Sequence, residues 1–430
     1  MTRNHIRRGL AVLGAAAVLA AGASCGDDTP DILEPGPGGN LFQSYVAMGN
    51  SLTAGYQSGG LNDSTQRESY AYLLAQQAGA QFVYPSFPVP GCTPPQTVFL
   101  DTLAVVGAPQ ATPRTCTFRR SATTLSPLNN VAVPNAWAWD LTRIGTPTGP
   151  PNPLQEFILG GKTQLRRALD ARPTFVSLWI GNNDVLAPAS VGMLTPVAGA
   201  SPGYIPPDTI IKYIKATVDT LQQSGTVQGG VLIGIVDVPN APRFFQGGAL
   251  FADPAFKAGV DAAVFGSGST RTVTVLANCV GSTALVSSLI LGEMKAGRYP
   301  PIISCAPATV PGVPPQAALG NLFVMSAEEQ AALSAVVDTV NRYLQAKADT
   351  AGFAFYDPNN AQTGLPALKA AGLIPALPNF TSPDEPFGSY ISLDGVHPRK
   401  AAHVRVANAI IALINAEYQI SIPSIPTTQP

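Results

Sequence analysis

The sequence predicts an α/β protein, a three-layer sandwich with a mainly parallel sheet, helices on both faces and long loop insertions. Three observations carry this. Short apolar runs at 43–48, 174–180, 231–238 and 353–356 read as buried strands. Segments with helical apolar spacing fall between and after them. Two of the strands close on Gly/Asn turns, Gly49-Asn50-Ser51 and Gly181-Asn182-Asn183, and the first leads into a helical start. Strands alternating with helices build parallel sheets, and ligands on such sheets sit beyond the carboxyl ends of the strands.

The chain begins with Arg3, Arg7 and Arg8, an uncharged run from Leu10 to Ala21, then Gly22-Ala23-Ser24-Cys25. This reads as a secretory signal over 1–24, too short for a spanning helix. Two cleavage readings stand. Ala21-Gly22-Ala23 suits ordinary signal peptidase and gives a secreted soluble protein. Alternatively Cys25 becomes the first mature residue and carries lipid, because Gly22-Ala23-Ser24-Cys25 resembles a bacterial lipobox, with Gly22 where that motif usually has Leu. That reading gives an anchored protein of the cell envelope, with the membrane as a partner. Lipidation of Cys25 leaves four cysteines, an even number suited to an oxidising compartment. Proximity pairs Cys92 with Cys116 and Cys279 with Cys305, each bridge closing a loop of about 25 residues and contributing roughly 3 kcal/mol. Four cysteines still permit three connectivities.

Residues 25–40 are polar and Pro/Gly-rich, a tether, and 419–430 have the same character and read as a flexible tail. The body spans 41–418. Within it, Pro207 to Gln223 carries Ile210, Ile214, Val218 and Leu221 at helical spacing. Ser326-Ala327-Glu328-Glu329 is a capping box opening a helix to about Ala348. The last helix is expected from Pro398, as a first helical position, to Tyr418. Segments 85–124 and 239–325 fit the alternation poorly and read as insertions in the sheet-top loops; a separate small domain is the alternative. No internal repeat occurs. Net charge is −1, 12% of residues are charged and no basic run exists, so nucleic acid is not an expected partner. The low charge, with 41 Gly and 41 Pro, suits an extracytoplasmic protein with turn-rich loops.

Chemistry is narrowed by scarcity. Only His5, His397 and His403 exist, and His5 lies in the signal. His397 ends Asp394-Gly395-Val396-His397, ahead of a helix. An Asp three residues before a His can take the Nδ1 proton and leave Nε2 as a general base; an isolated D-x-x-H is more often an Asx turn with a surface His. Ser51 directly follows a strand and opens a helix, where it is either an N-cap or a nucleophile whose own N–H faces a developing oxyanion. Asn183, at a second strand end, has a side-chain amide able to donate to the same oxyanion, or belongs to a plain turn. His403, on an Ala/Val/Ile-rich helix, reads as a packing residue. No C-x-x-C, H-E-x-x-H, phosphate-binding loop or G-x-S-x-G elbow is present, so no metal or cofactor is expected.

Together these residues resemble the GDSL, or SGNH, hydrolase family, whose function rests on four widely spaced blocks in fixed order. Gly49-Asn50-Ser51-Leu52 matches the first, with Asn50 where Asp is usual. Gly181-Asn182-Asn183-Asp184 matches the third and Asp394-Gly395-Val396-His397 the fifth. The second block supplies a backbone N–H from a Gly. The best positional match is Asn129 to Ala136, with Asn135 in the Gly place, since Asn tolerates a left-handed backbone. Gly91, in Val89-Pro90-Gly91-Cys92, is the rival. The resemblance implies an SGNH-like fold and a serine esterase or lipase. Ser51 would be nucleophile, His397 base and Asp394 its orienting partner, with Ser51, Asn135 and Asn183 forming the oxyanion hole. An ester is the implied substrate. The same residues would serve an acyltransferase or deacetylase acting on surface glycans, and a non-catalytic surface binding protein is a third possibility.

Overall fold

Alternate residues along the apolar runs pack into two different cores, the signature of a sheet buried on both faces. The computed structural model describes residues 36–101, 103–106, 127–145, 152–192, 204–305 and 322–427. The expected signal, Cys25, most of the tether and Cys116 lie outside them. In chain order the main elements are β1 (Tyr45–Gly49), α1 (Ser51–Ala54), α2 (Tyr70–Ala78), β2 (Phe175–Trp179), α3 (Asn182–Val191) and α4 (Pro207–Gln223). Then come β3 (Gly229–Ile233), α5 (Leu289–Lys295), α6 (Ala327–Ala351), β4 (Ala354–Tyr356) and α7 (Lys400–Tyr418).

The sheet is parallel in the order β1-β2-β3-β4, with Tyr45 opposite Phe175, Phe175 opposite Gly229 and Ile233 opposite Tyr356. Segment 129–133 lies along the free edge of β1: Ala47 N–H donates to Asn129 O (2.7 Å) and Val133 N–H to Gly49 O (3.1 Å). Val46, Met48, Val176, Leu178 and Leu232 pack with α4 and α6, while Tyr45, Ala47, Phe175, Trp179, Val231 and Ile233 pack with α2 and α7. This is the mixed α/β arrangement that the alternation of strands and helices predicts. Among the described residues no helix is long and apolar enough to cross a membrane.

Local chemistry sets most boundaries. Helix α4 spans the expected residues, and Ser326 and Glu329 form the reciprocal capping box at the start of α6. Three expectations are corrected. Strand β3 stops at Ile233, short of Val238, because side-chain amides take over the backbone: Ile235 N–H donates to Asn341 Oδ1 and Val236 N–H to Asn182 Oδ1. Helix α7 starts at Lys400. Pro398 instead bridges Ile391, and Arg399 N–H donates to Tyr390 O. The chain after Gln419 is held as far as Ile425. Asn415 and Asn408 on α7 each exchange two hydrogen bonds with the backbone, of Ile422 and Ile425 respectively, at 2.7–2.9 Å.

The described parts of segment 239–325 form more than a loop. Phe244–Gln246, Leu285–Ser287 and Val324–Met325 form an antiparallel sheet, and Phe245, Phe256, Val286 and Ile290 build a core shared with Phe380 and Phe387. Cys279 and Cys305 are bridged, as proximity suggests. Cys92 is buried and disulfide-bonded. From Pro37 onward the chain forms one compact unit.

Candidate active site

The sequence places Ser51 and Asp394–His397 almost the full length of the body apart. The fold brings them together above the carboxyl end of β1. Asn50, the N-cap of α1, accepts from Leu52 N–H through its Oδ1 at 3.0 Å. The capping role therefore falls to Asn50, which frees Ser51 at the first helical position; Ser51 is only 6% exposed. Gly49 is required for this turn. Its φ is +147°, and a Cβ there would lie 2.3 Å from Trp179 O.

Ser51 Oγ lies 2.7 Å from His397 Nε2, and His397 Nδ1 lies 2.8 Å from Asp394 Oδ2. The Asx turn is also present: Asp394 Oδ1 accepts from Val396 and His397 N–H, both at 2.9 Å. One carboxylate thus fixes the loop with one oxygen and orients the imidazole with the other. Gly59 N–H adds a bond of 3.2 Å to Oδ2. Burial alone would raise the Asp394 pKa. The His397 interaction, Arg243 and the backbone donor outweigh burial and hold it well below the usual carboxylate range, so it stays ionised. With Asp394 ionised, the imidazole proton sits on Nδ1 and Nε2 accepts from the serine hydroxyl. Tyr56 packs edge-on against His397, ring centroids 5.1 Å apart.

The donors predicted for an oxyanion meet at the same place. Asn135 is exposed and adopts φ +62°, the left-handed backbone expected of a residue in a Gly position. Among the described residues, no acceptor takes the backbone N–H of Ser51 or of Asn135. Asn183, in the first turn of α3, donates from Nδ2 to Ala136 O at 2.8 Å, and Asn152 holds Pro134 O at 2.9 Å. Asp184 accepts from Ala138 N–H at 3.0 Å. The 134–138 turn is thus pinned from both sides. Ser51, Asn135, Asn183, Asp394 and His397 all line one cleft of about 840 Å³. Gly91 does not. It is buried against Leu61 and Asn62, where a Cβ would lie 2.4 Å from Leu61 O, so its glycine serves close packing and not the site.

His403 is in the core, stacked on Tyr70 with Nδ1 accepting from Tyr70 N–H at 3.2 Å. Among the described residues no cluster of three His, Cys, Asp or Glu side chains is arranged to hold a metal ion.

No family model matches the chain, and no curated protein does. The functional reading rests on the geometry of the site.

That geometry includes partners the sequence did not single out. Arg243 donates from Nε to Asp394 O (2.9 Å), from Nη1 to Ser190 Oγ (3.1 Å) and from its backbone N–H to Gly395 O (2.8 Å). It ties the histidine turn to the end of α3, and Gly395 allows the approach, since a Cβ there would lie 2.9 Å from Arg243 Cα. Ser58 N–H donates to Ser392 Oγ and Ser58 Oγ accepts from Leu393 N–H, which holds the 56–60 turn beside Asp394. The Arg243 contact follows no local pattern.

Proposed function

We propose that this chain is a serine ester hydrolase of the GDSL/SGNH type. The observation that carries the reading is the continuous relay from Ser51 Oγ to His397 Nε2 and from His397 Nδ1 to Asp394 Oδ2, at 2.7 and 2.8 Å. Ser51 attacks the ester carbonyl as its proton passes to His397 Nε2, and Asp394 stabilises the imidazolium. The tetrahedral oxyanion is received by the N–H groups of Ser51 and Asn135 and the side chain of Asn183. His397 returns the proton to the leaving alkoxide, and a water activated by the same nitrogen releases the acid. Further support comes from the parallel sheet, with the 129–133 segment beside β1, the Ser51 and Asn183 turns at the carboxyl ends of β1 and β2, and the Asp394–His397 turn bonded to Ser51.

Ser51→Ala is expected to abolish hydrolysis of p-nitrophenyl acetate while the circular dichroism spectrum and Tm stay those of the parent. Retained turnover in the folded variant would refute the assignment. The deacetylase and acyltransferase readings use the same residues, and turnover on acetylated sugars against simple esters separates them.

We further propose that the protein is exported and anchored by lipid at Cys25. The parent would then partition into the detergent phase on cloud-point extraction, and Cys25→Ser into the aqueous phase. Equal partitioning of the two would count against the anchor.

A further inference from the structure

Holding the histidine turn occupies only part of the Arg243 guanidinium. Nε donates to Asp394 O at 2.9 Å and Nη1 to Ser190 Oγ at 3.1 Å. Nη2 has no acceptor among the described residues and is not sealed from solvent. Arg243 is part-buried and lines the cleft that contains Ser51. Its backbone is fixed on both sides: the N–H donates to Gly395 O at 2.8 Å, and the carbonyl accepts from Ser288 N–H at 3.0 Å. A rigid support thus leaves one edge of a cation unused beside the relay.

Among the described residues no carboxylate lies within ion-pair distance of this guanidinium. Asp394 turns its carboxylate to His397 and Gly59 and offers Arg243 only its carbonyl. Burial pushes the Arg243 pKa down, with Asp394 and Tyr56 acting against it. A neutral amide could donate to one carbonyl and one hydroxyl without that desolvation cost. The positive charge itself calls for a further partner.

The other carboxylates of the cleft are committed elsewhere. Glu293 takes two bonds from Arg298, at 2.7 and 2.8 Å, and Asp101 accepts from the N–H groups of Leu103 and Ala104 in its own loop. Lys295 and Arg405 also line the cleft without a carboxylate at ion-pair distance among the described residues, Arg405 resting on the Tyr390 ring at 5.4 Å. Those two are exposed, so solvent and salt screen them, whereas the part-buried Arg243 is screened less.

We infer that Arg243 binds, through its Nη2 edge, a carboxylate carried by the ester substrate. This rests on the hydrolase reading and makes the substrates anionic esters. A guanidinium presents fixed donors and a permanent charge to a carboxylate, and such a bond favours the bound ester roughly tenfold to a hundredfold. The carboxylate belongs to the acyl or to the alcohol half of the ester, and the test has one arm for each.

The test measures kcat/KM by pH-stat titration at constant ionic strength for two matched pairs. Monomethyl adipate against methyl hexanoate probes the acyl half, and 4-acetoxybutanoate against butyl acetate the alcohol half. In the parent the anionic-to-neutral ratio is expected to exceed ten in one pair, which identifies the half. That ratio should fall at least tenfold in Arg243→Gln, which keeps amide donors and loses the charge. Arg243→Lys, with the charge but not the fork, should give an intermediate ratio, and Lys295→Ala a ratio within threefold of the parent. A loss shared by both members of a pair reports the histidine turn, so the ratio isolates the anion. Ratios below two in both pairs, a ratio in folded Arg243→Gln within twofold of the parent, or a tenfold fall confined to Lys295→Ala would overturn the inference.

A second measurement needs no turnover: calorimetric titration of Ser51→Ala with the two anionic esters, with and without Arg243→Gln. Binding weakened tenfold or more by Arg243→Gln supports the inference even if no ester is hydrolysed, an outcome that sinks the hydrolase reading alone. Hydrolysis that depends on Ser51, with rate ratios and binding that both ignore Arg243→Gln, sinks the inference alone.

Discussion

Replacing Asn183 by alanine removes two functions at once, and the structure allows them to be separated. The first is static. Asn183 Nδ2 satisfies the carbonyl of Ala136, a fully buried residue, at 2.8 Å. Leaving a buried carbonyl without its donor costs about 1–3 kcal/mol of stability. The second exists only in the transition state. In the proposed mechanism the Asn183 amide also donates to the oxyanion, and loss of one such donor costs about 3 kcal/mol, or roughly 10²–10³ in kcat. Asn152→Ala is the matched control, because Asn152 holds Pro134 O at 2.9 Å on the other side of the same turn but does not line the cleft. Urea denaturation should show comparable destabilisation in the two variants. Steady-state hydrolysis of a p-nitrophenyl ester should show a loss of 10²–10³ in kcat for Asn183→Ala and less than about tenfold for Asn152→Ala. Equal kcat losses in the two folded variants would mean that Asn183 only supports the turn, and the oxyanion assignment would be wrong.

Other perturbations follow from the same contacts. Asp394→Asn keeps the size of the side chain but removes the charge that orients His397 and stabilises the imidazolium. A loss of roughly 10³–10⁴ in kcat is expected, and a loss below tenfold would remove Asp394 from the relay. Burial lowers the His403 pKa to about 3, so the folded protein keeps this imidazole neutral while the unfolded chain protonates it below about 6.5. The stability it contributes is complete above that value and is lost as pH falls toward the folded value. At full linkage that is about 2.7 kcal/mol between pH 6.5 and 4.5. Asp140, raised to about 6 by burial, and the buried Asp184 act in the opposite direction. The readout is accordingly the difference in urea-unfolding free energy between the parent and His403→Asn, which should narrow on acidification; a constant difference would contradict a neutral buried His403. Reducing the Cys279–Cys305 bridge, sequence separation 26, by paired Ser substitution should cost about 3 kcal/mol in denaturant unfolding. An unchanged midpoint would show that the core around Phe245, Phe256 and Val286 suffices without it.

The parts of this protein legible in its sequence are those written locally. Helix α4 announces itself through Ile210, Ile214 and Val218, and α6 through a capping box whose two bonds depend only on residues three apart. The strand ends were harder, because β3 is terminated by Asn341 and Asn182 from remote elements. The extended tail was misread for the same reason: its partners, Asn408 and Asn415, are polar helix residues with no local pattern. At the site, Ser51, Asp394 and His397 were accessible because histidine is scarce and the motif turns are short. Asn135 was favoured over Gly91 because Asn tolerates a left-handed backbone, which it adopts at φ +62°, and Gly91 is set aside by its packing on Leu61. Arg243 and the bonds of Ser58 to Ser392 and Leu393 had no signal, since each acts across a sequence distance that no spacing rule spans.

The most direct measurement of the central claim is mass spectrometry of the intact protein after exposure to a fluorophosphonate, followed by peptide mapping. The relay of Ser51, His397 and Asp394 predicts a single covalent adduct on the peptide carrying Ser51, absent in Ser51→Ala and strongly slowed in His397→Ala. A folded parent protein that takes no adduct, or an adduct that persists in Ser51→Ala, would contradict it.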